Sequence, residues 1–360
     1  MKQCKRLIGL GVLAAFILIP LASSDAQTIR YPGDTDETVK RRAGWIKAAR
    51  EEKTLEWWGI LRPNLAKSVI AEFNKVYPFI RVNFWRGNGE EIATKIEAEH
   101  AAGRINLDIA LGGEPYNYPR WRKMGMMEPF ADIIPGKDKL DPRMYGKFGD
   151  WVIPGNNGVT PQYNTDMVSP AEAPKSWEDL LDPKWKGKLG MTRDVKAWTT
   201  IAVGEGGWGI ERTEQFLKKL ARQNIIWGRG HTAATTLLIA GEFSIMVEGY
   251  VYHILQFKEK GAPVEWAKVD PVVVTGPSFT LQKKAPHPNT ARLFLEWLLS
   301  PPGLIAYDKI TYYGAASPGS GTRISKALQG LNLVYRTEDI QMKVLELGLI
   351  ERFSKILGIQ

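Results

Sequence analysis

Two hydrophobic periods alternate along the chain. Residues 55–59, 82–85 and 107–111 are short apolar runs built from Leu, Trp, Val, Phe and Ile, and each predicts a β-strand. The stretches between them carry apolar residues three and four apart, which predicts helices. Val39, Ala43, Trp45, Ile46 and Ala49 mark one over 36–53; Leu65, Val69, Ile70 and Phe73 mark a second; residues 90–102 form a third, stopped by Gly103.

The same alternation returns further along. Strands are predicted at 189–191, 225–227 and 243–247, with helical segments at 195–203, 213–222 and 233–240. Two runs, 272–274 and 279–281, read as the chain's return to the first half. Asn289 is expected to cap a helix over 290–299, and Ser300-Pro301-Pro302-Gly303 to open another. Residues 324–360 read as C-terminal helices wrapping a lobe. Gly204, Gly206, Gly207 and Gly209 superficially resemble a dinucleotide fingerprint, but they follow no strand and are read as a loop.

Strand, loop and helix in repeated order predict an α/β architecture, each half a mostly parallel sheet flanked by helices. In such sheets ligands sit beyond the carboxyl ends of the strands, where loops and helix N-termini present N–H groups. That rule selects residues 60–64, 86–89 and 112–118 in the first half, and 192–196, 228–232 and 248–253 in the second.

The halves meet around residues 158–188. Val159, Pro161 and Tyr163 alternate with polar positions, and Asn164-Thr165-Asp166 closes that strand with turn chemistry. Ser176 is placed to cap a short helix, with Asp179 three residues on. Asp182-Pro183 ends it, and Lys184-Trp185-Lys186-Gly187 turns into the next strand.

Tyr163-Asn164-Thr165-Asp166, followed by Pro174-Lys175-Ser176-Trp177-Glu178-Asp179-Leu180-Leu181-Asp182-Pro183-Lys184-Trp185-Lys186-Gly187-Lys188, resembles the extracellular solute-binding proteins of ABC importers. Within these it is most similar to the family 1 branch for ferric iron and small organic anions. The order of features matches over roughly residues 54–318. The resemblance implies a two-lobed periplasmic-binding-protein type II fold with a two-strand hinge, here near residues 159–165 and 270–277. It implies a signal peptide over 1–26, lobe one over 27–160, lobe two over 161–270, and a return to lobe one with C-terminal helices over 271–360. It further implies a monomer that captures a small solute in the periplasm and delivers it to the transmembrane subunits of a permease, without catalysis. An enzyme on the same two-lobed fold is the alternative.

The N-terminus agrees with export. Lys2, Lys5 and Arg6 precede an apolar run from Leu7 to Leu21, and Ser24-Asp25-Ala26 supplies small residues for cleavage near Gln27. Cys4, the sole cysteine, leaves with that segment, so no disulfide or thiol chemistry is expected. The formal charge of +9 is spread along the chain without a basic block, which argues against a nucleic-acid partner.

Four histidines lie at 100, 231, 253 and 287, none at zinc-ligand spacing, and no Gly-x-Ser-x-Gly elbow is present. No cofactor is expected. Candidate ligand-binding residues are Arg62, Arg86, Gly113, Glu114, Tyr116, Tyr163, Arg193, Arg229, His231 and Tyr250. The arginines each lie in a post-strand loop and offer a bidentate fork to a carboxylate or phosphonate, with Arg193 and Arg229 expected as the main positive contacts of a bound anion. Ferric iron as transported ligand would fall to Glu114, Tyr116 and Tyr250. Iron-binding members of the resembled family carry two adjacent tyrosines where this chain has Tyr250 and Val251, so the second phenolate is missing. A sugar is the third possibility, with Trp57, Trp58, Trp85 and Trp198 as stacking surfaces.

Overall fold

The computed structural model describes residues 29–112, 115–133, 135, 141–315 and 320–359. The signal segment, Gly113 and Glu114 lie outside the described residues.

The first sheet contains β1 (Thr54–Gly59), β2 (Arg81–Arg86), β3 (Ile109–Leu111), β4 (Met127–Glu128) and β5 (Trp151–Val152). The second begins with β6 (Asn157–Asn164), β7 (Leu189–Thr192), β8 (Ile226–Gly228), β9 (Ile245–Tyr250), β10 (Val264–Trp266) and β11 (Val272–Thr275). Then β12 (Phe279–Gln282) returns to the first sheet and β13 (Leu333–Tyr335) to the second. The strand orders are β2-β1-β3-β12-β4, with β5 on β12, and β13-β11-β6-β9-β7-β8, with β10 on β6. Each sheet has a parallel core, β2-β1-β3 and β9-β7-β8, generated by helical crossovers. Antiparallel strands join each core at the side where the chain changes lobe.

The two crossings lie at 153–156 and 276–278, a few residues from where the sequence placed the hinge. Both β6 and β11 pair wholly within the second sheet. Glycine permits the close approach of these segments: a Cβ on Gly276 would strike the Gly155 carbonyl oxygen, and one on Gly155 would lie 2.5 Å from the Tyr313 carbonyl oxygen. In β6 all eight residues are buried. Pro161 is accommodated in this central strand because the register with β9 shifts between Thr160 and Gln162.

Helices Pro288–Leu299 and Pro301–Thr311 pack on lobe one, against Asp36–Glu52 and Pro63–Val76. The C-terminal helices Glu338–Glu346 and Leu349–Leu357 pack on lobe two, against Lys196–Val203 and Ile210–Leu220. The chain thus visits lobe two a second time, through β13. Asn289 does not cap its helix. Pro288 opens it, and the Glu52 carboxylate accepts from the Asn289 and Thr290 amides at 3.0 and 2.8 Å. The Ser176 and Asp179 exchange does form, but the segment it opens, Glu178–Leu181, is a single 3-10 turn ended by Asp182-Pro183.

Aromatic residues fill both cores. Trp57, Phe73, Phe279, Phe294 and Trp297 cluster in lobe one, and Trp177, Trp198, Trp208 and Phe216 in lobe two. Trp57 and Trp198 are fully buried. Trp58 and Trp85 pack edge to face, with Lys95 over the Trp58 ring. The fold therefore uses these four tryptophans for packing, and none lines the cleft described next. No helix among the described residues is long and apolar enough to cross a membrane.

Candidate functional site

A cavity of about 230 Å3 opens between the lobes. Its walls follow the carboxyl-end rule strand by strand. Ile60 follows β1, Gly89 lies beyond β2, and Gly112 follows β3; Asp194 and Lys196 lie just beyond β7, His231 beyond β8, Tyr250 ends β9, and Arg336 follows β13. Asn157, Val159, Glu248, Thr275 and Tyr313 are also among the lining residues.

Two cations, Lys196 and Arg336, reach this space. Lys196 begins the helix Lys196–Val203, and its amide donates to Asp194 Oδ1 at 2.8 Å. Arg336 donates to Gln341 Oε1 at 3.1 Å. The acidic side is formed by Asp194 and Glu248. Glu248 is 1% exposed; its Oε1 accepts from Thr192 Oγ1 at 3.1 Å, and its Oε2 has no hydrogen-bond partner among the described residues. Burial pushes its carboxyl well above the usual carboxylate range, and the neighbouring Asp194 adds to the shift. Two further buried nitrogens, His231 Nδ1 and Asn157 Nδ2, also lack partners among the described residues.

Aromatic rings form a ladder from the cavity toward the hinge. The His231 and Tyr250 centroids are 4.1 Å apart, Tyr250 stacks on Tyr252 at 5.8 Å, and Tyr252 meets Tyr313 at 4.6 Å. Burial holds the Tyr250 phenol protonated far above neutrality, with Asp194 reinforcing it. Burial also lowers the His231 imidazole, helped by Lys196 and opposed by Asp194. Behind the ladder His253 is 1% exposed, within 3.3 Å of both Thr232 Oγ1 and Thr235 Oγ1, and burial pushes its pKa down to about 3.

Of the residues selected from sequence, the structure brings His231 and Tyr250 to the cavity wall. Gly113 and Glu114 lie outside the described residues, between the lining residues Gly112 and Pro115. Arg86, Arg193 and Arg229 are exposed and not on the wall; Arg193 instead lies over the Trp227 ring, 5.8 Å from its centroid. Arg62 is also off the wall, near enough to Tyr252 and His253 to affect their titration. Tyr116 is half-buried and outside the lining, and Tyr163 is buried in the lobe-two core. Side chains of exposed loop residues turn to solvent unless a neighbouring element covers them, and loop position alone does not show that.

Asp194 and Lys196 lie in the loop 192–196 that sequence selected, one and three residues on from Arg193. Glu248 opens the loop 248–253 that sequence selected, but it stands within a strand, because β9 runs on to Tyr250, two ladder pairs beyond its expected end, held by Thr160↔Gly249 and Val159↔Tyr250. Arg336 carried no sequence signal, since β13 lies in a stretch that reads as helix. Among the described residues no three His, Cys, Asp or Glu side chains converge as a metal site.

Two α/β lobes with a polar cleft at their crossing are the architecture that the resemblance implied. The sequence profile of the bacterial extracellular solute-binding proteins matches residues 68–329, and the chain belongs to that family. It is 25% identical over 252 residues to an uncharacterized protein of Haemophilus influenzae, covering 66% of this chain and 70% of that one. It is 21% identical over 270 residues to the Fe(3+)-binding periplasmic protein of Serratia marcescens, covering 71% and 77%. Its fold matches the substrate-binding protein of an ABC transporter from Agrobacterium tumefaciens with a TM-score of 0.68, at 17% identity over 85% of this chain and 94% of the other.

Proposed function

We propose that this protein is the periplasmic capture component of an ABC importer and that its solute is a small organic anion. The observation that carries the ligand class is the placement of Lys196 and Arg336 on one inter-lobe cavity, with helix Lys196–Val203 directing its N-terminus there. A carboxylate or phosphoryl group fits such a pair through charge-assisted hydrogen bonds. The likeness to the Agrobacterium tumefaciens ABC-transporter protein supports the importer, and a permease is the partner that would receive the solute. Export through a cleaved N-terminal signal agrees with the extracellular family.

The protein binds its solute without altering it. A thermal-shift panel of carboxylates, phosphonates, neutral sugars and ferric citrate tests the class: anions raise the melting temperature of the wild type by mass action and do so less in Lys196→Ala. Mass spectrometry of the recovered solute after long incubation shows it unchanged. A panel in which neutral sugars alone shift the protein overturns the reading. A visible phenolate band after iron loading and desalting would instead favour ferric iron, as in the Serratia marcescens relative.

A further inference from the structure

An arginine side chain is long and rich in rotamers, so its charge serves a solute best when its direction is set beforehand. Hydrogen bonds at both ends of Arg336 do this. Its amide donates to the Val274 carbonyl oxygen of β11 at 2.9 Å, which sets where the side chain starts. Its Nη2 donates to Gln341 Oε1 at 3.1 Å, which sets where the guanidinium ends. Gln341 is a firm anchor for that bond. It is 4% exposed, and its amide donates to the Thr337 carbonyl oxygen at 3.1 Å in the first turn of the helix Glu338–Glu346. That helix packs on Lys196–Val203, so Gln341 ties Arg336 to the scaffold that carries Lys196. Both Arg336 and Gln341 line the cavity.

We propose that Gln341 is a positioning residue for solute binding: its side-chain oxygen aims the Arg336 guanidinium at the anionic group of the solute. This inference rests on the anion reading above and deepens it. The residue type at 341 fits the task. A guanidinium only donates hydrogen bonds, so the oxygen of a neutral amide orients it without adding negative charge to the wall. A carboxylate in the same place would also hold the guanidinium, but it would repel an incoming anion.

A double-mutant cycle tests this by isothermal titration calorimetry, since residues that act through one another lose affinity non-additively. The probes are succinate, citrate and propylphosphonate, and the cycle uses whichever binds the wild type most tightly. Arg336→Met weakens that probe tenfold or more. Gln341→Met, which removes the acceptor at similar volume, weakens it threefold or more in the wild-type background. In the Arg336→Met background the same change costs less than twofold, because no guanidinium is left to aim. Gln341→Asn, which withdraws the amide by one methylene, runs the same cycle if Gln341→Met does not fold. Gln341→Glu, alike in shape but negative, weakens the probe at least as much as Gln341→Met. A loss of less than threefold in the wild-type background, an equal loss in both backgrounds, or wild-type affinity in Gln341→Glu overturns the positioning role. Unchanged affinity in Arg336→Met overturns it too, and leaves the anion reading to Lys196. Failure of every probe to bind the wild type overturns the anion reading, and this inference with it.

Discussion

The indole Nε1 of Trp151, in lobe one, donates to the carboxylate of Glu338, in lobe two, at 2.8 Å. Arg122 completes the tie. Its guanidinium forks onto both Glu338 oxygens at 3.1 Å and onto Asp150 at 2.6 and 3.1 Å. Glu338 begins the helix that also carries Gln341, and it lies two residues beyond Arg336. The contact therefore links the relative position of the lobes to two residues of the solute cavity. Glu338→Ala is expected to enlarge the radius of gyration of the solute-free protein in small-angle scattering and to weaken solute binding by roughly tenfold, the equivalent of one charge-assisted contact. Unchanged dimensions and affinity would show the tie to be passive.

Lys196→Ala should raise the dissociation constant of the bound anion by about ten- to a hundredfold, since a charge-assisted hydrogen bond is worth about 1.5–3 kcal/mol. Arg193→Ala and Arg229→Ala should each change it by less than about threefold, because exposed charges off the wall contribute little. Calorimetry on the three variants side by side separates a wall lysine from rim arginines.

Tyr250→Phe removes one hydroxyl from a ring that stays packed between His231 and Tyr252. Affinity should fall by about 0.5–1.5 kcal/mol if the hydroxyl bonds the solute, the range for a neutral hydrogen bond. An unchanged dissociation constant would assign Tyr250 to packing alone.

His253 makes stability depend on acid. Folding holds its pKa down to about 3, through burial first and then the nearby His231 and Arg62. Between that value and the ordinary imidazole range near 6.5, the unfolded chain binds a proton that the folded chain refuses. Stability from this residue is therefore intact at neutral pH and falls as pH drops below about 6.5, by about 2 kcal/mol at pH 5. Chemical denaturation of His253→Asn across pH 7 to 4 should show a shallower acid loss than the wild type, from a lower starting stability.

Arg42 is 1% exposed and bonds two fully buried carboxylates, Asp34 at 2.7 Å and Glu296 at 2.6 Å. It fastens the helix Asp36–Glu52 to Pro288–Leu299. Arg42→Met strands both acids and should destabilise lobe one by about 3–5 kcal/mol, read from denaturant midpoints. Adding Asp34→Asn and Glu296→Gln should recover part of that loss.

Local periodicity was enough for the strands and helices of both parallel cores, because apolar spacing reports which face an element buries, whatever it packs on. The carboxyl-end rule then marked the loops that line the cleft, and it found His231 and Tyr250 directly. Periodicity could not say where a strand stops when its partner is distant in sequence. The ladder with β6 carried β9 past Glu248, and pairing with β11 drew β13 out of a helical-looking tail, setting Arg336 on the wall. Nor could it say which basic side chain in a loop turns inward. Arg193 and Lys196 share one post-strand segment, yet Arg193 is exposed while Lys196 lines the cavity, a difference that tertiary packing sets. Element identity is a short-range property of the chain; the sign and shape of a cleft between lobes are sums over residues more than a hundred positions apart, which only the packed structure brings together.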